Sequence, residues 1–245
     1  MSYILGVKID NLDFKVVMAK IAAFLYVEEF HMVATVNPEF IAAAQYDEKF
    51  KNILNQADLN VPDGVGLKFA GWFLGQKINE RITGVDLTWE ICKLAAENNY
   101  SVYFLGGVEG VPEKAIKRLH LVYPKLKIAG FSSPIIPNNG QLEDSAEIIN
   151  EINNRKTDIL LVALGAPKQE KFIAAHKDQL KVKLAMGIGG TFDYIAGIVP
   201  YAPAWMRKLG LEWLYRLFTQ PKRWRRIFTA VIVFPWMVFK TKFIK

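Results

Sequence analysis

One carboxylate in this sequence directly follows a predicted strand and lies in a turn-forming tripeptide. Asp63 comes after the strand predicted at 58–61 and stands between Pro62 and Gly64. Pro-Asp-Gly alone is a turn sequence, because Pro presets φ, Asp can close an Asx turn and Gly accepts positive φ. At the carboxyl end of a strand, a short carboxylate would also face a ligand crevice, where it could take a proton from a substrate. Asp63 is therefore the first candidate for a general base, with a plain turn as the alternative.

Two further loops carry groups that suit a phosphate or a ribose. Gly189 and Gly190 offer unhindered backbone N–H groups, and Asp193 adds a carboxylate shortly after them. In another loop Lys168 and Gln169 fall in the first turn of a predicted helix, so one of them can point at a ligand while the other is solvated. For the glycines the alternative is a turn without a ligand, since glycine also permits turns that bind nothing.

A third glycine-rich stretch follows the strand predicted at 101–105 and contains Gly106, Gly107 and Gly110. Its spacing departs from the G-x-G-x-x-G pattern of dinucleotide-binding turns. The next predicted strand, 127–131, is followed by serines instead of the acidic residue that holds a ribose hydroxyl. A close strand-to-helix turn that admits a phosphate is the better interpretation, and NAD binding is disfavoured.

Residues that usually bind metals are few and scattered. The histidines His31, His120 and His176 are far apart in the sequence, Cys92 is the one cysteine, and no Asp-x-Asp occurs. We therefore expect no metal and no other cofactor, so a leaving diphosphate would need Arg or Lys to stabilise its charge. The single cysteine excludes an internal disulfide and favours a reducing compartment.

The positive charge is concentrated in the last fifth of the chain. Residues 201–245 contain ten Lys and Arg against one acidic residue, a net charge of +9, whereas residues 1–200 carry −2. Four of the six Trp also lie in residues 201–245. A basic, aromatic segment of this kind can bind anionic lipid, bind nucleic acid, or form a solvated helix with a Trp anchored in the core.

The apolar run 227–239 favours the lipid alternative. It has 13 residues, with Pro235 among them, so even as an ideal helix it spans about 20 Å against a hydrocarbon core of roughly 30 Å. It therefore does not cross a bilayer but fits the interfacial zone, where each nearby Lys or Arg contributes about 1 kcal/mol at an anionic leaflet. We expect peripheral binding to an anionic membrane surface and no nucleic-acid partner.

The elements that must position these groups alternate along residues 1–200, with short apolar runs between segments of helical period. The predicted strands are 31–36, 58–61, 101–105, 127–131, 158–164 and 182–187, and the predicted helices are 37–54, 86–98, 112–123 and 143–154, with a loop at 132–141. A composition of 51% hydrophobic and 22% charged residues excludes disorder. We predict a Rossmann-like α/β catalytic domain (1–200), with a mostly parallel sheet and helices on both faces. A C-terminal helical appendage (201–245) would dock on the membrane and complete the active site.

Six motifs recur in a characteristic order and spacing over nearly the whole chain. They are Thr35-Val36-Asn37-Pro38-Glu39, Val61-Pro62-Asp63-Gly64-Val65-Gly66, Arg81-Ile82-Thr83-Gly84, Ala163-Leu164-Gly165-Ala166-Pro167-Lys168-Gln169-Glu170-Lys171, Gly189-Gly190-Thr191-Phe192-Asp193 and Leu209-Gly210-Leu211-Glu212-Trp213-Leu214-Tyr215-Arg216-Leu217. Each motif alone is weak. Together they make the chain resemble the WecG/TagA/CpsF bacterial glycosyltransferases, glycosyltransferase family 26.

The resemblance implies an activity and roles for particular residues. It implies transfer of an N-acetylmannosamine-type sugar from a UDP donor to N-acetylglucosamine on undecaprenyl diphosphate, at the cytoplasmic membrane face, with inversion and without a metal. The branch that makes the teichoic-acid linkage unit is the most similar. Asp63 would be the base, and the substrate pocket would be lined by Thr35, Asn37, Arg81 and Gln169. Arg216, Arg223 and Arg226 would reach over the diphosphate of UDP. The loops Gly106-Gly107 and Gly189-Gly190 and Asp193, chosen above from their own chemistry, complete the predicted UDP site.

Two other classes of protein stay open on the sequence alone. A membrane-peripheral, nucleotide-dependent oxidoreductase would share the βα architecture, although the broken glycine spacing argues against it. A non-enzymatic module that binds lipid or nucleic acid would explain the basic C-terminal segment, but it would leave the polar loops of the body without a role. The donor hexose, the polymer and the oligomeric state, including a homo-oligomer, are likewise open.

Overall fold

Six parallel strands form the central sheet of the computed structural model, which describes residues 1–134 and 145–243. The described residues contain eight strands, of which the last six form this sheet. They are β1 (Ser2–Ile4), β2 (Val7–Ile9), β3 (His31–Val36), β4 (Leu59–Pro62), β5 (Ser101–Gly106), β6 (Lys127–Ser132), β7 (Ile159–Ala163) and β8 (Leu184–Gly187). β1 and β2 form a separate antiparallel hairpin, and the sheet order is β4-β3-β8-β7-β5-β6. The predicted α/β class is confirmed, and each predicted strand lies within two residues of its predicted bounds.

Helices connect the strands and form most of the C-terminal segment. They are α1 (Phe14–Tyr26), α2 (Pro38–Ala44), α3 (Glu48–Gln56), α4 (Val65–Phe73), α5 (Gly84–Asn98), α6 (Val111–Val122), α7 (Ser145–Asn154), α8 (Lys168–His176), α9 (Thr191–Ile195), α10 (Ala204–Leu209), α11 (Glu212–Thr219), α12 (Trp224–Phe228) and α13 (Phe234–Phe243). A 3₁₀ turn at Pro221–Arg223 and a π-helix at Thr229–Val233 flank α12. The predicted helix start at Glu143, and residues 135–141 of the predicted loop, lie outside the described residues.

Helices cover both faces of the sheet, as predicted. On β5, Val102 and Phe104 belong to the apolar core that α1, α5, α6 and α9 complete, whereas Tyr103 and Leu105 belong to the core formed with α3, α7 and α8. All four side chains are 0% exposed. Successive strand residues point to opposite faces, so burial on both faces explains why the strands appear in the sequence as continuous apolar runs.

The single helix predicted for 37–54 is wrong, because the structure has the separate helices α2 and α3. Asn37 caps α2 through a hydrogen bond from the Phe40 amide at 3.1 Å, as the Asn-Pro pair predicts. Asp47 caps α3 in the same way, through the Phe50 amide at 2.9 Å. The second cap lets the chain change direction, and Phe50 then packs beside Phe40 in the core.

The predicted helical segment 201–245 is also divided, first at Gly210. Gly210 separates α10 from α11 with a φ of 73°, a left-handed conformation that glycine adopts without steric cost. A Cβ at Gly210 would lie 2.6 Å from a methyl group of Val65. The interruption therefore allows the start of α11 to approach the start of α4.

The β1–β2 hairpin, α1 and α4 were not predicted. The hairpin strands have three residues each, too few to reveal a period of two. Helix α4 contains Gly66 and Gly71, and glycine lowers helix propensity. Gly71 is nevertheless required by close packing, because a Cβ there would lie 2.3 Å from the carbonyl oxygen of Gln76.

The C-terminal segment packs on the body through its last helix. Phe234 and Val238 of α13 are 0% and 1% exposed and share an apolar core with Phe40, Ile41 and Leu67. The division of the chain at residue 200 stays a prediction from charge, and this packing shows that the segment also completes part of the core. Among the described residues, no helix combines the length and the apolarity that crossing a membrane requires.

Candidate active site

A cleft opens at the carboxyl edge of the sheet, where the strand order reverses. The chain passes from β3 outward to β4 on one side and from β5 outward to β6 on the other, which leaves a crevice above the central strands. The parallel register pairs Thr35 with Val61 and Ala34 with Gly187. The loops that follow β3, β4 and β8 therefore meet at this crevice.

Most of the predicted site residues come together in the cleft. Those that line it are Thr35, Asn37, Asp63, Arg81, Gln169, Gly189, Gly190, Arg216, Arg223 and Arg226. The first seven belong to the body, at the carboxyl ends of its strands or just after them, and the C-terminal segment supplies the three arginines that follow them. In the part of the chain that the structure describes, no three His, Cys, Asp or Glu side chains cluster as potential metal ligands.

Asp63 lies at the floor of the cleft, surrounded by protein except for a small exposed area. Its Oδ2 accepts a hydrogen bond from the Gly84 amide at 3.3 Å. Burial raises the pKa of the Asp63 carboxyl above its usual value, and Arg216, the Gly84 hydrogen bond and Arg81 reduce this shift without cancelling it. A raised pKa makes the carboxylate a better proton acceptor near neutral pH. These properties are compatible with the predicted role of Asp63, which stays a prediction.

Gln169 and Glu170, at the start of α8, form a hydrogen-bonded chain that ends at the Gly189 loop. Gln169 accepts a hydrogen bond from the Gly189 amide at 2.9 Å and donates one to Glu170 at 2.6 Å. Glu170 is 0% exposed, and burial raises its pKa to about 7. Its second carboxyl oxygen is buried without a hydrogen-bond partner among the described residues. A Cβ at Gly187 would lie 2.5 Å from both side chains, so glycine at this position makes room for the chain that orients Gln169.

Arg223 reaches the glycine loop from the C-terminal segment. A Cβ on Gly190 would lie 2.8 Å from its Nη2. Burial, followed by the charges of Arg226 and Arg216, lowers the pKa of the Arg223 guanidinium. Burial also raises the pKa of Asp193, which the positive charge of Arg223 opposes. Repulsion among neighbouring guanidinium groups is relieved when an anion binds between them, so this end of the cleft is suited to a phosphate.

Two ion pairs connect the C-terminal segment to the body beside the cleft. Arg81 Nη1 lies 3.0 Å from Glu212 Oε2, and Arg226 Nε lies 2.6 Å from Glu39 Oε2. Each pair joins one residue of the body to one of the C-terminal segment. Together they hold the C-terminal helices over the cleft.

Arg216 and Arg223 form no salt bridge within the described residues. Arg216 lies over the ring of Tyr194, 5.2 Å from its centroid, a cation–π contact that leaves the edge of the guanidinium accessible. A guanidinium can donate two parallel hydrogen bonds to a phosphate. These two arginines are therefore the strongest candidates for binding a diphosphate.

Three residues predicted to bind UDP do not line the cleft. Gly106 ends β5 with a φ of 95°, and a Cβ there would lie 2.7 Å from the carbonyl oxygen of Ala163. Gly107 lies against the ring of Phe192, 3.4 Å from an added Cβ. Close packing of β5 therefore accounts for Gly106 without a ligand. At Gly107 the φ of 86°, rather than a lack of space, favours glycine. Asp193 lies behind the glycine loop rather than on the cleft wall.

Other residues of the cleft were missed by sequence reasoning. They are Thr83, Thr191, Tyr194, Tyr201, Arg207, Glu212 and Tyr215. Thr83, Thr191 and Glu212 occur within the six motifs, so that signal could have found them. Tyr215 also lies in a motif, but no chemical pattern around it marks it as a site residue. Tyr194, Tyr201 and Arg207 lie outside the motifs and have no comparable signal in the sequence. Their position depends on how the C-terminal segment folds back.

The fold and the cleft define a doubly wound α/β protein, a class in which ligands bind at the carboxyl ends of the strands. A sequence model described as the Glycosyl transferase WecG/TagA/CpsF family matches residues 2–245. The N-acetylglucosaminyldiphosphoundecaprenol N-acetyl-beta-D-mannosaminyltransferase of Bacillus subtilis (strain 168) is 33% identical over 196 residues, which cover 80% of this chain and 74% of that protein. The protein of the same name from Staphylococcus aureus (strain MRSA252) is 33% identical over 241 residues, or 98% and 92% of the two chains. This chain belongs to the WecG/TagA/CpsF family of glycosyltransferases, which confirms the resemblance.

Proposed function

We propose that this protein transfers N-acetylmannosamine, or a related hexose, from a UDP-sugar to N-acetylglucosamine on undecaprenyl diphosphate. The reaction would serve the synthesis of a cell-surface polymer of the wall teichoic acid type. The names of the relatives specify the same sugar and acceptor, which supports the proposal. The observation that carries it is the position of Asp63, a carboxylate with a raised pKa in a cleft that also contains Arg216 and Arg223.

In this proposal Asp63 is the general base of a single displacement. Its carboxylate takes the proton from a hydroxyl of the acceptor sugar as that oxygen attacks the anomeric carbon of the donor. The new carbon–oxygen bond forms while the bond from the anomeric carbon to UDP breaks, and its electron pair leaves with UDP. Attack opposite the leaving group inverts the anomeric configuration. A positioned base typically contributes about 10²- to 10⁴-fold in rate.

Arginine side chains would stabilise the leaving UDP in place of a metal ion. Arg216 and Arg223 line the cleft and have no salt bridge among the described residues, and Arg226 lies beside them. Negative charge grows on the diphosphate as its bond to the sugar breaks. Preorganised cationic donors at that point lower the barrier, because they interact more strongly with the transition state than with the bound donor.

We also propose that the protein acts at the cytoplasmic face of the membrane, bound peripherally to anionic lipid. Six neighbouring rings, here called the aromatic patch, support this: Phe69, Trp72, Phe73, Trp236, Phe239 and Phe243. Trp72 is 73% exposed and Trp236 is 61% exposed. Lys242 lies 4.4 Å from the centroid of the Phe73 ring. Exposed aromatic rings beside lysines are suited to the membrane–water interface.

The proposed activity can be tested by measuring UDP release from a panel of UDP-hexoses. The acceptor is a short-chain lipid diphosphate that carries N-acetylglucosamine, and each assay is run with and without EDTA. We expect UDP-N-acetylmannosamine to give the highest turnover and EDTA to leave it unchanged. Turnover with none of the UDP-hexoses would contradict the proposed reaction. Turnover that EDTA abolishes and Mg²⁺ restores would contradict the metal-independent mechanism.

A further inference from the structure

A second cavity adjoins the cleft and shares its inner wall. Asp63, Arg216, Arg223 and Arg226 line both cavities. Beyond these residues, the second cavity continues between α4, α11 and the residues after Arg226. This outer part, here called the apolar groove, is lined by Val65, Phe69, Trp213, Ile227, Ala230 and Val231.

The chemistry of the second cavity changes along its length. At the inner end, Arg81 and Arg226 are paired with Glu212 and Glu39, which leaves Arg216 and Arg223 beside Asp63. Burial and repulsion from the neighbouring arginines lower the pKa of Arg223. At the outer end the walls are aliphatic and aromatic side chains. A ligand that fills the whole cavity therefore carries negative charge at one end and hydrocarbon at the other. Without the negative charge the arginines would repel one another unscreened, and without the hydrocarbon the apolar walls would stay in contact with water.

The apolar groove is continuous with the aromatic patch. Phe69 lines the groove and also belongs to the patch, where its ring lies 5.9 Å from that of Trp72 and 6.2 Å from that of Phe73. Phe69 itself is 51% exposed. A hydrocarbon chain could therefore pass from a lipid surface at the patch, along the groove, to the arginines without crossing a polar surface.

We infer that the apolar groove binds the polyprenyl chain of the lipid acceptor next to its diphosphate, while the UDP-sugar occupies the polar cleft, so that the two substrates meet at Asp63. The inference rests on the proposed function for the identity of the acceptor. The acceptor consists of a chain, a diphosphate and a sugar hydroxyl, in that order. The cavity likewise has apolar walls at one end and the arginines with Asp63 at the other.

Other occupants match only part of this cavity. Arg216, Arg223 and Arg226 line both cavities, so UDP can reach them from the cleft while the diphosphate of the acceptor reaches them from the groove. A protein helix or a second copy of the chain could cover the apolar groove, but it would bring no anion to the groove side of Arg216 and Arg223. A free nucleotide would satisfy the arginines and leave the apolar walls in contact with water. A prenyl diphosphate satisfies both ends with one molecule, and both alternatives are outcomes of the experiment below.

The test blocks the groove and measures how the enzyme responds to chain length. Ala230→Trp adds a large side chain to the groove wall. Ile232→Trp, on the same short helix, is the matched control, because Ile232 is 53% exposed and does not line the groove. Two acceptors differ only in their chain, a farnesyl chain or a short prenyl chain, and farnesyl diphosphate is used as a binding probe.

For the wild type and Ile232→Trp we expect the KM of the farnesyl acceptor to be about tenfold or more below that of the short-chain acceptor, since burial of hydrocarbon strengthens binding. In Ala230→Trp this ratio should fall to about one, and affinity for farnesyl diphosphate should fall by a similar factor. Val231→Glu, which adds charge instead of volume, should have the same effect. Circular dichroism and the Kd for UDP establish that each variant is folded.

An equal KM ratio for the two chain lengths in Ala230→Trp and Ile232→Trp would overturn the inference. A second result would also overturn it: the wild type self-associates or captures a peptide, and Ala230→Trp and Val231→Glu both abolish this interaction but still bind farnesyl diphosphate. The proposed function fails separately. If no UDP-sugar is turned over, but the wild type binds farnesyl diphosphate and Ala230→Trp does not, the groove is a prenyl diphosphate site in a protein of another activity.

Discussion

Asp63 combines two properties that the proposed general base needs, a position on the wall of the cleft and a raised pKa. Burial raises the pKa of its carboxyl, and the charge of Arg216 opposes this rise. The group must be ionised to accept a proton. We therefore expect kcat/KM to fall as the pH decreases through this raised pKa.

Asp63→Asn should reduce kcat by about 10²- to 10⁴-fold, because an amide cannot take the proton from the acceptor. Affinity for UDP should stay nearly unchanged, since the arginines are retained. UDP release gives kcat, and calorimetry gives the Kd. Asp178→Asn, which changes an exposed carboxylate outside the cleft, is the control and should have normal turnover. Near-normal turnover of Asp63→Asn would assign the base to another residue.

Glu170 is a buried acid whose ionisation affects stability. Its pKa is about 7 in the folded protein against an ordinary value of 4.5. Between these values the folded protein binds more protons than the unfolded chain, so the free energy of unfolding decreases as the pH rises. The decrease amounts to roughly 3 kcal/mol at most.

Glu170→Gln should remove most of this pH dependence, because the amide does not ionise and its oxygen can still accept the hydrogen bond from Gln169. Urea unfolding at about pH 5 and about pH 8 measures the effect. Glu147→Gln, which changes an exposed acid of α7, should keep the wild-type dependence. If Glu170→Gln also keeps it, Glu170 does not titrate in this range.

The C-terminal helices contribute to the core and to the cleft at once. Phe234 of α13 is 0% exposed in the core of the body, whereas Arg216 of α11 and Arg223 line the cleft. Removal of residues 201–245 would expose this core as well as delete the arginines. Point substitutions in these helices therefore separate the two roles better than truncation does.

Arg223→Gln should reduce kcat by about 10²-fold, the usual cost of removing one donor to a developing anion. It should not destabilise the fold, because it relieves repulsion from Arg226 and Arg216. Lys222→Gln removes an adjacent charge that is exposed and does not line the cleft, and it should have wild-type kcat. The measurements are UDP release and thermal unfolding. Equal kcat in both variants would remove Arg223 from the proposed mechanism.

Across the whole molecule, the body and the C-terminal segment together build the surface expected to meet the membrane. The aromatic patch combines Phe69 and Trp72 of α4 with Trp236 and Phe239 of α13. The apolar groove opens at this patch and ends at Asp63. Membrane binding and access of a lipid acceptor would thus involve the same face of the protein.

Trp72→Ala should weaken binding to anionic vesicles by about tenfold or more, because a large apolar side chain contributes roughly 1.5–3 kcal/mol when it leaves water. Sedimentation with phosphatidylglycerol vesicles at increasing salt measures this affinity. Tyr26→Ala, at the end of α1, removes another exposed ring that lies outside the patch and should bind as the wild type does. Equal losses in the two variants would mean that the patch is not the membrane-binding surface.

Local patterns were sufficient to predict the sheet and several site residues. Strands buried on both faces appear as apolar runs, and the loops that follow parallel strands meet at one edge, so Asp63 and Gly189 could be assigned to the cleft before the structure was known. The prediction of one helix over 37–54 failed because Asp47 caps a new helix within a continuous apolar period. Gly106 does not line the cleft, and the sequence could not reveal this, because glycine serves close packing and ligand binding equally well.

By itself, the sequence determined the α/β class, the family and the residues of the loops at the strand ends, because these depend on local periodicity and on motif order. The tertiary structure alone decided which arginines pair with carboxylates and which are left for a ligand. It also decided that α4 and α13 form one surface, and that the cleft continues into an apolar groove. The physical reason is distance along the chain. The hydrogen bond from Arg226 to Glu39 joins residues 187 positions apart, and such a contact depends on the packing of every element between them.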